Sequence, residues 1–359
     1  MLDRNSYVPL YCQLADELQA KIEAGEILPG DKLPSESEMI QQYNIGRPTV
    51  RMALSQLVNK GYLEKVHGRG TYCKASHVNE ERLNIDVILD MADTYFIPYY
   101  MKSISEVLTE NKCNFIVSDS KNSTEEICSL LHKIIEKGTS GVILQPSHLC
   151  EEVPQALHDC FRMYRNAGIP YLMIDCVYEG IETSYTVLDE YKGGCLAANY
   201  LHSLGHRKIL TVYIEKFKDS ILRLNGFRSV CEEQAVEQPI LLPYRKERFA
   251  EDLMDILKAQ KPTAVFCYND DVAVECIRIL RENGLLVPED ISVLGFDDSV
   301  LAGASVPPLT TILHPKQIMG ELAARVILEL IHKNRPWPYT NLFSPSLVQR
   351  DSCLPLSRV

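Results

Sequence analysis

Apolar residues recur at Leu10, Leu14, Leu18 and Ile22, the four-residue spacing of an amphipathic helix running from Pro9 to Ala24. Gly25 stops it, and Leu28-Pro29-Gly30-Asp31 reads as a turn. Ser35, with Glu38 three residues on, forms a capping box that predicts a second helix through Tyr43. After the short turn Asn44-Ile45-Gly46, Arg47-Pro48-Thr49 opens a third helix with Val50, Leu54, Leu57 and Val58 on its apolar face. Gly61 ends it, and two short strands are expected at 62–66 and 71–73, joined by His67-Gly68-Arg69-Gly70. Helix, helix, tight turn, helix, hairpin is the order of a winged helix-turn-helix.

Beyond a polar linker expected at 75–83, the pattern changes to short, wholly apolar runs separated by helical patterns. Strands are expected at 85–89, 115–118, 141–144, 171–174, 208–212, 264–267 and 291–295, with helices such as 124–137 and 272–283 between them. Apolar strands alternating with helices imply parallel sheets covered on both faces, and the length of this part suits two of them. The predicted organisation is therefore a head at 1–74 and an α/β body at 84–359. Ligands in open α/β sheets gather beyond the carboxyl ends of strands. There stand Asp119, Gln145, Asp175, Asn269, Asp270, Asp297 and Asp298, with Arg223 in DSILRLNGF. Amides, carboxylates and one guanidinium suit a hydroxyl-rich ligand, whereas each Asp or Asn taken singly also suits a helix cap.

Charge changes the picture of the head more than of the body. The chain of 359 residues carries a formal net charge of −11, an odd balance for a nucleic-acid binder. Residues 1–43 hold three Lys/Arg against eight Asp/Glu, but residues 44–74 hold six against one, so the basic side chains cluster on the third helix and the wing. Twelve cysteines lie scattered without a C-x-x-C pair, which reads as small buried hydrophobes in a reducing compartment rather than disulfides or a zinc site. Met1–Leu10 lacks the features of a signal peptide, and no apolar run suffices to span a bilayer; a cytoplasmic protein without membrane contact is expected. No G-x-S-x-G, H-E-x-x-H or P-loop occurs, so neither catalytic residues nor cofactors are expected.

The strings PLYCQLADELQAKIEAGEILPGDKLPSESEM and GRPTVRMALSQLVNKGYLEKVHGRGTY resemble the DNA-binding domain of the GntR family across nearly all of residues 5–74. The resemblance implies DNA contacts from Arg47, Thr49 and Arg51 on the recognition helix and from Lys65, Arg69 and Gly70 on the wing. It also puts Ser35 and Glu36 at the start of the second helix, where capping and DNA contact are both open for Glu36. In the body, VLDEYKGGCLAANYLHSLGHRKI, RLNGF, PTAVFCYNDDVAVECIRILRENGLLVPEDISVLGFDDS, PPLTTILHP and SLVQRDS resemble the effector domain of LacI/GalR regulators, which has the periplasmic-binding-protein type I fold. That likeness implies two α/β lobes joined by three crossovers, with Arg223, Asn269 and Asp297 on a sugar's hydroxyls and Tyr95-Phe96 against its apolar face. Gln145, Asp175 and His314 are further candidates, Gln145 standing in QPSH where a carboxylate is expected. The combination resembles the AraR-type L-arabinose repressors and implies a homodimer on double-stranded operator DNA, controlled by L-arabinose or a close pentose; the sequence leaves repressor and activator both open.

Overall fold

The computed structural model describes residues 9–59, 61–66, 69–74, 82–90, 97–149, 152–333 and 335–356. The chain divides into two compact units, residues 1–82 and 83–359. The linker expected at 75–83 falls mainly on 75–81, outside the described residues, as do Tyr95, Phe96, His67 and Gly68.

The head is built from α1 (Leu10–Glu23), α2 (Glu36–Tyr43), α3 (Arg47–Asn59), β1 (Leu63–Val66) and β2 (Gly70–Cys73). The expected capping box forms: Glu38 N–H donates to Ser35 Oγ at 3.3 Å, and Ser35 N–H donates to the Glu38 carboxylate at 2.7 Å. Leu14 and Leu18 of α1, Met39 of α2, and Val50, Leu54 and Leu57 of α3 close one small core with Leu63 and Cys73. The strands pair antiparallel from Leu63 opposite Cys73 to Val66 opposite Gly70, making the wing.

Among its described residues the body contains two six-stranded sheets. In the first, β3 (Asn84–Leu89), β4 (Asn114–Asp119), β5 (Gly141–Leu144), β6 (Tyr171–Ile174), β7 (Ser184–Leu188) and β13 (Thr340–Phe343) run in the order β13-β7-β6-β5-β3-β4. The second runs β14-β12-β11-β10-β8-β9, from β8 (Ile209–Tyr213), β9 (Ile240–Pro243), β10 (Ala264–Cys267), β11 (Ser292–Asp297), β12 (Thr310–Leu313) and β14 (Ser346–Val348). Every described pairing in both sheets is parallel except β12 with β14. Helices α4 (Ile97–Glu110), α5 (Thr124–Lys137), α6 (Gln155–Asn166) and α12 (Lys316–Ile331) cover the first sheet. Helices α7 (Glu190–Ser203), α8 (Lys218–Glu233), α9 (Phe249–Gln260), α10 (Asp270–Glu282) and the short α11 (Val300–Ala304) belong to the second.

The chain passes between lobes three times, at 188–190, at 313–316 and at 343–346, as the family resemblance implies. The expected strands are present with ends shifted by at most two residues; β11 runs on to Asp297 because it stays paired with β12, Asp297 facing Leu313. Five strands were not expected: β9, although Ile240–Pro243 is an apolar run, and β7, β12, β13 and β14, which lack one. Their buried hydroxyls are tolerated because they are bonded: Thr311 Oγ1 donates to Asp270 Oδ1 at 2.6 Å, and Ser184 Oγ accepts from Tyr339 N–H at 3.0 Å.

Candidate functional site

In the head, Arg47 stands exposed in the first turn of α3, Thr49 is half-buried, and Arg51 is exposed one turn on. Lys65, Arg69 and Gly70 are exposed on the wing. Gly70 has φ +121°, a conformation that strains any residue with a side chain, so the wing needs glycine at this position. Ser35 caps α2, and Glu36 does something else. Its two carboxylate oxygens accept from Arg51 Nε at 2.9 and 3.1 Å, tying the start of α2 to α3 and fixing the direction of that guanidinium.

In the body, two charged groups meet where the crossovers gather. The first centres on Asp175, just past β6, with φ +75°. Its Oδ1 accepts from Tyr100 OH at 3.0 Å and its Oδ2 from Gln145 Nε2 at 2.9 Å, while His148 Nε2 lies 3.2 Å from Oδ2 and His314 Nε2 3.4 Å from Oδ1. Burial alone would raise the Asp175 pKa, but the hydrogen bonds and charges of His148, His314 and Gln145 outweigh it and hold the carboxyl well below its usual range. Gln145 also accepts from Asp90 N–H at 3.1 Å, so an amide that bridges two partners takes the place where a carboxylate was expected.

The second group centres on Arg223 of α8, which is buried. Its Nε donates to Glu190 Oε2 at 2.6 Å, one terminal nitrogen donates to the Tyr268 carbonyl at 2.7 Å, and the other reaches Asp297 Oδ1 at 3.4 Å and Asp219 Oδ2 at 3.9 Å. The guanidinium lies 3.6 Å above the Phe296 ring centre. One guanidinium faces three carboxylates, and Lys316, whose ammonium bonds the Asp297 carbonyl, cannot neutralise them all from its side. Desolvation therefore pushes Asp297 up to about 7 against the pull of Arg223 and Lys316, and raises Glu190 as well. His314 lies between the two groups, with Nδ1 3.8 Å from Asp297 Oδ1; burial lowers its pKa to about 4, so the ring is neutral at pH 7.

Glycine draws this second group together. A Cβ on Gly194 would sit 1.9 Å from the Arg223 carbonyl oxygen, and one on Gly226 would sit 1.9 Å from that of Tyr191, so α7 and α8 cross with backbones in contact. That contact places Glu190 and Arg223 face to face. A cavity of about 940 Å³ opens beside this group, with Asp175, Glu190, Asp219 and Lys218 in its wall and Arg223 and Asp297 behind it. Two buried carboxylate oxygens, Asp297 Oδ2 and Asp219 Oδ1, have no hydrogen-bond partner among the described residues.

Residues 10–73 match the model of the bacterial regulatory proteins of the gntR family, and residues 198–353 match that of a periplasmic binding protein-like domain. Over 96% of its length the chain is 30% identical to the arabinose metabolism transcriptional repressor of Geobacillus stearothermophilus, covering 98% of that protein. The chain belongs to this AraR-type repressor family. Among solved structures, a LacI family transcriptional regulator from Enterococcus faecalis V583 with bound ribose is 26% identical, covering 76% of this chain and all of that one, with a TM-score of 0.65. The lac repressor dimer bound to operator shares the fold, at 22% identity and a TM-score of 0.67 over 77% of this chain and 96% of that one. Among the described residues no helix is long and apolar enough to cross a membrane.

For this repressor, the structure brings together Gln145, Asp175, His314, Arg223 and Asp297 of the residues singled out from sequence. Asn269 stands apart in role: its Oδ1 accepts from Val272 N–H at 2.9 Å and caps α10, while its neighbour Tyr268 supplies the carbonyl to Arg223. Asp298 pairs with Arg350 at 2.6 Å, Asp119 Oδ1 accepts from Lys121 N–H, and Asp270 ties β12 to the start of α11, all structural uses. Sequence reasoning missed Glu190, Asp219, His148, Tyr100, Tyr268 and Lys316. Asp219 and Arg223 stand four apart on α8, a spacing that could have exposed the pair; Tyr100 reads in sequence as an ordinary core aromatic.

Proposed function

We propose that this protein is a cytoplasmic repressor that binds operator DNA as a homodimer and lets go when L-arabinose or a closely similar pentose enters the cleft between the lobes of its body. The observation that carries the reading is the buried Arg223–Glu190–Asp297–Asp219 group, with its two carboxylate oxygens left over. An ionised carboxylate only accepts hydrogen bonds and a protonated one can also donate, so such a site takes a ligand rich in hydroxyls. Its excess of acids disfavours phosphorylated sugars by like-charge repulsion. The names of the arabinose repressors and the ribose in the Enterococcus regulator support a pentose.

Asp297 and Arg223 would bind hydroxyls from the second lobe, Asp175 and Gln145 from the first, and His314 from the crossover between them. Tyr95 and Phe96 keep the role that the family resemblance implies, stacking on the sugar's apolar face, and Asn269 Nδ2 is the part of that side chain available to a hydroxyl. A ligand gripping both lobes stabilises one arrangement of them, and that arrangement must hold the paired heads less well for DNA. The coupling is reciprocal: sugar weakens operator binding by the factor by which operator weakens sugar binding. In the head, Arg47, Thr49 and Arg51 would reach base edges, with Lys65, Arg69 and Gly70 on the backbone.

Calorimetric titration with L-arabinose, D-ribose, D-xylose and D-galactose, alongside operator release in a gel-shift assay, tests the reading. L-arabinose is expected to bind and to release DNA. Arg223→Lys keeps the buried charge but loses the fork, and is expected to abolish release while sparing operator binding. A different sugar that binds and releases overturns the choice of pentose; full induction of Arg223→Lys overturns the site.

A further inference from the structure

Away from the cleft, three metal-ligating side chains converge where α5 meets α6. Cys128 and His132 are four residues apart on α5 and so share a face, and Cys160 reaches them from α6. The two sulfurs are 3.1 Å apart; Cys160 Sγ lies 3.3 Å from His132 Nδ1 and 3.9 Å from Nε2, and Cys128 Sγ lies 3.8 Å from Nδ1. A tetrahedral zinc ion, with sulfur at about 2.3 Å and nitrogen at about 2.0 Å, holds its ligand atoms roughly 3.4–3.8 Å apart. Measured to Nδ1, both sulfur–nitrogen separations are within about 0.3 Å of that geometry, while the sulfurs would have to part by about 0.7 Å.

The surroundings of the cluster bear on how an ion would be held. His132 Nδ1 lies 2.9 Å from the Cys128 carbonyl oxygen. The nitrogen nearest both sulfurs is thus the one beside the carbonyl, so taking up an ion needs a small turn of this exposed ring, which either frees Nδ1 or presents Nε2, 3.9 Å from Cys160 Sγ. The cluster also opens on a depression of about 460 Å³ whose wall includes Cys128, His132, Glu125 and Glu136, room for water or a carboxylate as fourth ligand. A disulfide between the cysteines would need the sulfurs to close by about 1 Å and would leave His132 without a part.

We infer that Cys128, His132 and Cys160 form a binding site for one thiophilic divalent cation of the zinc class. The third ligand is 28 residues beyond the second in sequence, so no short motif announces the site. A bound ion would clamp α5 to α6. The residue just before the α5 cap, Asn122, accepts from His148 N–H at 3.0 Å, so the clamped pair backs the histidine that touches Asp175.

The test uses the untagged full-length protein, reduced and stripped with a chelator, then titrated with Co²⁺ and back-titrated with Zn²⁺. One equivalent of cobalt is expected, with a thiolate-to-cobalt charge-transfer absorption that zinc removes. Cys128→Ser and His132→Ala are each expected to weaken that equivalent by at least about tenfold, the smallest loss usual when a metal site loses support. His132 is exposed, so its variant keeps the fold intact as a readout. Unchanged cobalt binding in both variants, absence of the charge-transfer band, or a Cys128–Cys160 disulfide in peptide maps of the protein as isolated would each overturn the proposal.

Discussion

Replacing Gly226 by alanine should damage the proposed sugar site from behind. The new Cβ would stand 1.9 Å from the Tyr191 carbonyl oxygen and 3.1 Å from Cys195 N. Carbon and carbonyl oxygen approach to about 3.3 Å in packed backbones, so α7 and α8 must separate by about 1.4 Å. Arg223 stands three residues from Gly226 on α8 and moves with it. Its bond to Glu190, 2.6 Å long, then stretches beyond hydrogen-bonding range. Overpacking of this kind costs about 1–3 kcal/mol, and loosening a buried ion pair adds to it, so about 3 kcal/mol is expected in all. At about 2–4 °C per kcal/mol for a unit of this size, the melting transition of the body should fall by about 6–12 °C. Gly303→Ala is the control, since a Cβ there meets nothing within 4 Å. Scanning calorimetry without sugar reads both variants, and titration with the inducing sugar reads the site. A Gly226→Ala protein melting within about 2 °C of the parent, with unchanged sugar affinity, would refute the idea that the glycine crossing positions Arg223.

Arg47→Ala is expected to lose roughly 1–3 kcal/mol of operator affinity with little change on random DNA, measured by fluorescence anisotropy at one fixed salt concentration; equal loss on both would make it a phosphate contact instead. Glu36→Gln removes the charge that directs Arg51, so operator specificity should fall while the melting temperature of the head stays within about 2 °C, because an exposed ion pair adds little stability. For pH, Asp270 and Asp297 both stand at about 7 through burial, above their unfolded value. Their contribution to stability is complete below about pH 4 and is lost as pH rises through 7. Urea midpoints of the body should thus decline between pH 5 and 8, and Asp297→Asn should flatten that slope; a parallel curve for the variant would show that Asp297 holds no proton there.

The parts of the fold that sequence showed are those where one period dominates. The head helices alternate cleanly, and the Ser35–Glu38 box marks a boundary by its own chemistry. Strands such as 141–144 and 171–174 were legible because all four residues of each are buried. Strands β12 and β13 were not: Thr310, Thr311 and Asn341 look like loop residues until Asp270, Thr186 and other distant partners are in place. The cleft shows the same division. Asp175 and Asp297 stood out because each ends an apolar run. Glu190 and Lys316 were hidden, as their charges are explained only by Arg223 and Asp297 across the lobe, pairings that no local pattern encodes.

The three passages between lobes also set the order in which the molecule can be finished during synthesis. Met319, Ala323, Ala324 and Ile327 of α12 pack into the same core as Ile85 and Val87 of β3, so the first lobe stays open at one side until Ile331 has been added. The head has its own core and is complete by residue 82. At translation rates of 5–20 residues per second, a head waits on the order of 10–50 s for a body able to sense sugar. A premature stop anywhere in that interval would release heads without a complete sugar-sensing body, competing for DNA with the intact protein beside them.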